Sequence, residues 1–228
     1  MAVPSAQKLD FEDLALARRH APIIRFDHRE PFLPSRVGVT LFWQCGRSSS
    51  FPGLVVDIPS RAVCTIEYAI WWDWDIQHLY ELEHVWVSVG EGGELVAVKG
   101  SWHGTVRRFP NWQEEDGRPI LFSQPGKHAF AADPRDFPKW STICACTIGA
   151  GIMGLLVKDL FAGELSSLKT EANDRLIRRH LRRLAFWPTF RFDQVYLSPD
   201  DALMSWEKLR EYIPDRVAEV IRRLKEAV

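Results

Sequence analysis

Trp71-Trp72-Asp73-Trp74-Asp75-Ile76-Gln77-His78-Leu79-Tyr80-Glu81-Leu82-Glu83-His84-Val85-Trp86-Val87 crowds two aspartates, two glutamates and two histidines into twelve positions, Asp73 to His84. The residues on either side are strand formers. Cys64 to Trp72 and Glu83 to Val89 are rich in β-branched and aromatic side chains, and each reads as a strand. With a period of two, Glu81 and Glu83 fall on one face at the entrance of the second strand. His78, expected in the connecting loop, folds over that face.

Outward from this pair the pattern persists. Ala21 to Asp27, Val37 to Trp43, Leu95 to Gly100 and Arg118 to Phe122 read as further strands, with Pro31 to Ser35 as a proline-bracketed turn and Glu91-Gly92-Gly93-Glu94 as a hairpin connection. Ahead of them, Phe11 to His20 reads as a short amphipathic helix, acidic at its start (Glu12, Asp13) and basic at its end (Arg18, Arg19, His20), as the helix dipole favours. After Asp136 the character changes. A glycine-rich apolar stretch precedes an amphipathic helix over Gly163 to Phe186, a strand over Thr189 to Leu197, and one or two helices from Asp200 to Val228 broken near Pro214. The expected fold is mainly β: a single domain over 1–228, an antiparallel β-sandwich whose β-rich region 11–135 carries the site, with a short N-terminal helix and C-terminal helices in an extension, 136–228, packed on it.

The composition fits one such domain. The chain has 228 residues, 46% hydrophobic, with 29 basic and 30 acidic side chains. That balance argues against a nucleic-acid binder, whose footprint is a basic excess. Of the 10 tryptophans, most lie between Trp71 and Trp112, around the acidic cluster. The first residues lack an apolar signal core, so Cys45, Cys64, Cys144 and Cys146 read as reduced thiols of a cytoplasmic protein, packed as small apolar residues rather than holding zinc. The apolar run Ile143 to Val157 is too short and glycine-rich to span a bilayer, so no transmembrane segment is expected.

Two further motifs have bland readings. Gly149-Ala150-Gly151-Ile152-Met153-Gly154 matches G-x-G-x-x-G, but the context is not a run of parallel βαβ units; it reads as a tightly packed turn or helix start. Arg175, Arg178, Arg179, Arg182 and Arg183 read as a solvated helix face, with an acidic partner or lipid headgroups as the alternative.

The carboxylates of the central stretch repel one another at close quarters, and a divalent cation relieves that repulsion. His78, Glu81 and Glu83 supply one nitrogen and two oxygen ligands, with Asp73 or Asp75 as a fourth. His103 in Ser101-Trp102-His103-Gly104 and His128 in Gly126-Lys127-His128-Ala129 stand at predicted strand ends, where they can converge on the same rim.

The spacing His78-x-x-Glu81-x-Glu83 resembles the H-x-x-D-W-E core of the necrosis- and ethylene-inducing-like toxins and the H-E-G-D-W-E element of the vacuolar protein sorting-associated protein 62 family. Leu16 to Ser35, with Ala21-Pro22 and Glu30, is similar to the N-terminal APxxxF…E…PS stretch of the second family, and Ser101-Trp-His and Gly126-Lys-His-Ala to its S-x-H and G-S-H-A elements. The resemblance covers Leu16 to Ala132 and implies a divalent metal on a β-sandwich. Glu81 stands where the pattern has Asp, and Leu82 where it has Trp. No aspartate stands at the toxin spacing upstream, and membrane lysis is not carried over.

Such a site suits a metal-dependent hydrolase of an ester, phosphoester or related small substrate, with His84, His103 or His128 as acid or base and Lys127 facing developing negative charge. Mixed ligation fits Mg, Ca or Mn, and Zn or Fe also take such donors. The alternative is a non-catalytic module binding a glycan or lipid headgroup between tryptophan faces beside a structural metal.

Overall fold

The structure, a computed structural model, describes residues 9–227. Helix α1 (Phe11–His20) has the bounds its charge order predicts, and Asp10 and Asp13 close its first turn by each accepting from the other's backbone N–H. There follow β1 (Ile23–Phe26), β2 (Arg36–Phe42), the short pair β3 (Gly46–Arg47) and β4 (Val55–Val56), β5 (Cys64–Asp75), β6 (His78–Val89), β7 (Leu95–Trp102), β8 (Thr105–Arg108), β9 (Gln113–Glu115), β10 (Arg118–Ser123) and β11 (Phe130–Ala131). The later part holds α2 (Lys139–Cys146), β12 (Gly154–Leu155), α3 (Ala162–Leu165), α4 (Glu171–Arg183), β13 (Gln194–Tyr196), β14 (Leu203–Ser205) and α5 (Trp206–Glu226).

The larger sheet runs β14-β2-β5-β6-β7-β8, with β12 beside β6, and the smaller runs β11-β10-β1-β13, with β9 beside β10. Both are mixed. The pairs β1/β10, β12/β6 and β14/β2 are parallel, and helices occupy nearly as much of the chain as strands. This corrects the expectation of an antiparallel sandwich: the fold is mixed α/β. Residues after 136 also do more than pack outside, because β12, β13 and β14 complete the two sheets.

The two sheets meet through aromatic side chains. Trp72 of β5 contacts Phe26 of β1 and Phe130 of β11. On the other face of the larger sheet α5 lies so close that a Cβ on Gly38 would stand 2.9 Å from Leu209. The side chains of Trp71 and Trp72 are both fully buried, one on each face, as strand alternation requires. Helix α5 is continuous through Pro214, and the expected helix over Gly163 to Phe186 is instead α3, a 3-10 turn and α4. Thr170 caps α4 by accepting from Asn173 N–H at 3.2 Å.

Candidate metal centre

The site lies at the tip of the β5–β6 hairpin. The strands stay paired to Asp75 and His78, which stand opposite each other across the two-residue connection Ile76-Gln77. His78 is therefore a strand residue, not a loop residue. The tip is held from both sides: Ile76 N–H donates to Gly126 O (2.8 Å), while Gly151 N–H donates to Ile76 O (2.8 Å) and Met153 N–H to Gln77 O (3.0 Å). Glycine is needed where this segment meets α4. At Gly154 (φ +77) a Cβ would meet Asp174 Oδ1 at 2.5 Å. The G-x-G-x-x-G run is thus a packing device beneath the hairpin, in keeping with its bland reading.

Strict alternation would send His78 and Glu81, three residues apart, to opposite faces. Tyr80 breaks the alternation with φ 89, a left-handed backbone uncommon outside glycine. Its carbonyl also faces His78 Nδ1 at 2.9 Å. A carbonyl only accepts, so Nδ1 carries the proton and donates. Nε2 then presents a lone pair, the tautomer a metal ligand needs.

That Nε2 lies 3.6 Å from Asp75 Oδ1 and 3.7 Å from Glu81 Oε2, and one donor atom from each of the three residues falls within 4.8 Å of the others. These separations are too long for direct hydrogen bonds. They suit ligands sharing one ion at about 2.0–2.5 Å from each. All three residues are buried, Asp75 completely. Burial pushes His78 down to about 4, against the pull of Asp75, so the imidazole is neutral. Burial also pushes Asp75 up, but the neighbouring basic groups, foremost Lys127 where the imidazole is neutral, outweigh it and hold its carboxyl low; Lys127 Nζ is 2.6 Å from Asp75 Oδ2. Glu81 is pushed well above the usual carboxylate range by burial and then by Asp75 and Glu83. An ion here would displace its proton.

Glu83 shares the face of Glu81 and accepts from the Ser101 hydroxyl; burial moves its carboxyl up to about 7. It stands beside the group of three rather than within it. His128 stacks on Trp72 (4.7 Å between centroids, 5° between planes) and pairs with Glu30 at 3.4 Å. Glu30 also accepts from Gly126 N–H at 2.7 Å, fixing the loop that presents Lys127. Sequence reading gave Glu30 no role in the site, since its partners lie almost a hundred residues away.

Other expected members lie elsewhere. Asp73 accepts from the Arg216 guanidinium of α5 (2.6–3.1 Å) and from Trp71 Nε1 (3.2 Å), so Asp75 is the aspartate of the cluster. His84 is adjacent to Glu83 in sequence but on the opposite face. There Nε2 is 2.9 Å from Ser50 Oγ, which donates to Glu67 (2.7 Å), and Trp86 Nε1 donates to the same carboxylate at 2.7 Å. His84 thus has no part in the site. His103 lies on the exposed rim, 2.8 Å from Gln124. Trp71, Trp72 and Trp86 are packed inside, so they offer no open stacking platform for a sugar. Cys64 and Cys146 are buried as expected, whereas Cys45 is exposed, and all four are free thiols.

The buried position of His84 has a consequence in acid. Burial lowers its pKa to about 3, from an ordinary 6.5 in the unfolded chain. Between those values the unfolded chain holds the extra proton, so stability is lost as pH falls through the window, at up to about 1.4 kcal/mol per pH unit. Glu67, raised by its own burial, contributes a slope of opposite sign. The difference between wild type and His84→Gln isolates the histidine: urea midpoints of the variant should fall less steeply on acidification, and equal slopes would contradict a neutral buried His84.

No protein-family model, curated protein or solved structure matches the chain. What fold and site define is a mixed α/β protein with an Asp75–His78–Glu81 group able to hold a metal ion. Among the described residues no helix is long and apolar enough to cross a membrane.

Proposed function

We propose that this protein binds a divalent cation through Asp75, His78 and Glu81 and is a metal-dependent hydrolase of a small ester or phosphoester. The observation that carries the reading is His78 Nε2, a lone pair fixed by the Tyr80 carbonyl and facing two carboxyl groups at 3.6 and 3.7 Å. One nitrogen and two oxygens suit Mn²⁺, and Zn²⁺ or Fe²⁺ more than Mg²⁺ or Ca²⁺, which prefer oxygen alone. A divalent ion there supplies Lewis acidity to water and to a substrate oxygen. Glu83, raised by burial and on the same face as Glu81, is the candidate proton acceptor. Lys127 keeps Asp75 ionised. The resemblance of His78-x-x-Glu81-x-Glu83 to metal-binding motifs supports His78 and Glu81 as ligands.

A second reading rests on burial. Asp75, His78 and Glu81 are at most 9% exposed, so an ion could serve only to clamp the hairpin tip. Elemental analysis and a panel of ester and phosphoester substrates, with and without chelator, separate these. The hydrolase reading expects near one metal per chain and chelator-sensitive turnover. His78→Ala should lose metal and turnover together, whereas Asp73→Asn should keep both. Metal without turnover supports the clamp; full metal content in His78→Ala overturns both.

A further inference from the structure

We infer that the outer arc of α4 and the loop before β12 form a docking surface for anionic lipid bilayers. Helix α4 buries Asn173, Asp174, Ile177 and Leu181, which turns Arg175, Arg178, Arg179, Arg182 and Arg183 outward along an open groove of about 470 Å³. Arg175 pairs with Glu171 at 2.7 Å and Arg178 with Asp174 at 3.7 Å. Among the described residues, Arg179, Arg182 and Arg183 have no carboxylate within ion-pair distance. On a chain of net charge −1, this is a local excess of positive charge.

The neighbouring loop adds the second feature. Gly151 presses so closely on α4 that a Cβ there would be 2.5 Å from Arg178 O, which lays the loop along the arginine arc. Its side chains Ile148 and Ile152 are 89% and 60% exposed, and Met153 is also exposed. Lys169 Nζ reaches Met153 O at 3.3 Å and ties the loop to α4 through Asp174 at 3.0 Å.

Anionic groups alone would account for the arginines, as in a nucleic acid or an acidic peptide. They give no reason for aliphatic side chains held out in water beside them. A bilayer satisfies both, with guanidinium groups at the phosphate level and Ile148 and Ile152 in the acyl boundary. Since no described helix can span a membrane, the contact is peripheral. Each basic side chain contributes about fivefold to partitioning onto an anionic surface.

The test is sedimentation of the full chain with phosphatidylcholine vesicles, with or without phosphatidylserine. Binding is expected only to the serine-containing vesicles, weakening with salt. Arg179→Glu combined with Arg183→Glu should weaken it at least tenfold, and Ile148→Ser combined with Ile152→Ser several-fold. These side chains are exposed, and circular dichroism checks that each variant is folded. His78→Ala and chelated protein should bind unchanged, so this outcome is independent of the metal reading. Absence of binding at low ionic strength overturns the inference. So does a charge variant that binds normally, or duplex DNA that binds more tightly than the vesicles and is indifferent to the isoleucine changes.

Discussion

Saturating the protein with Mn²⁺ is expected to raise its melting temperature by about 5–10 °C, and His78→Ala to abolish the rise. An ion at a hundred times its dissociation constant stabilises the folded state by about 2.7 kcal/mol. For a chain of this size each kcal/mol moves the midpoint by roughly 2–4 °C. The stabilisation has a local origin: the ion would tie Asp75 at the end of β5 to His78 and Glu81 on β6. Removing the imidazole deletes the ligand whose lone pair the Tyr80 carbonyl orients. Scanning calorimetry with Mn²⁺ and with chelator measures the effect. An equal rise in His78→Ala would place the ion elsewhere.

Trp72→Ala should be the most destabilising single change near the site, by about 3–5 kcal/mol. The indole is fully buried; it touches Phe26 and Phe130 of the smaller sheet and stacks on His128. Its loss opens a cavity where the sheets meet and removes the support of the loop that presents Lys127. Trp72→Phe should recover about half the loss by refilling part of that volume. Chemical denaturation reads both variants, and a loss below about 1 kcal/mol for Trp72→Ala would show that the layers close over the gap.

Much of this arrangement could be read from local pattern. Phe11–His20 was visible from its charges, and the strands around Cys64 and Glu83 from their β-branched and aromatic content. His78 and Glu81 were identified from spacing, although the device that brings them together, a left-handed Tyr80, has no sequence signal because the residue is neither Gly nor Asn. The choice between Asp73 and Asp75 depends on Arg216 in α5, far along the chain. The separation of His84 from Glu83 was implicit in the alternation of the strand. Only the partners on each face, Ser50 and Ser101, make it a difference of function. Pro214 misled because its lost hydrogen bond and ring clash cost roughly 3 kcal/mol in isolation. In α5 the buried stripe of Leu209, Ile213, Val217 and Ile221 runs past it on both sides, and a break would forfeit that burial.

The strands that complete both sheets come from the far end of the chain, and this sets an order of assembly. On the ribosome the β5–β6 hairpin can close early, since its partners are adjacent in sequence. Yet β1 waits for β13 and β2 for β14, so both stay open-edged until residues 194–205 have been made. Nascent chains therefore carry exposed strand edges until those residues emerge. A ribosome stalled before residue 194 would hold a preformed Asp75–His78 turn on a body still able to pair with its neighbours on the polysome.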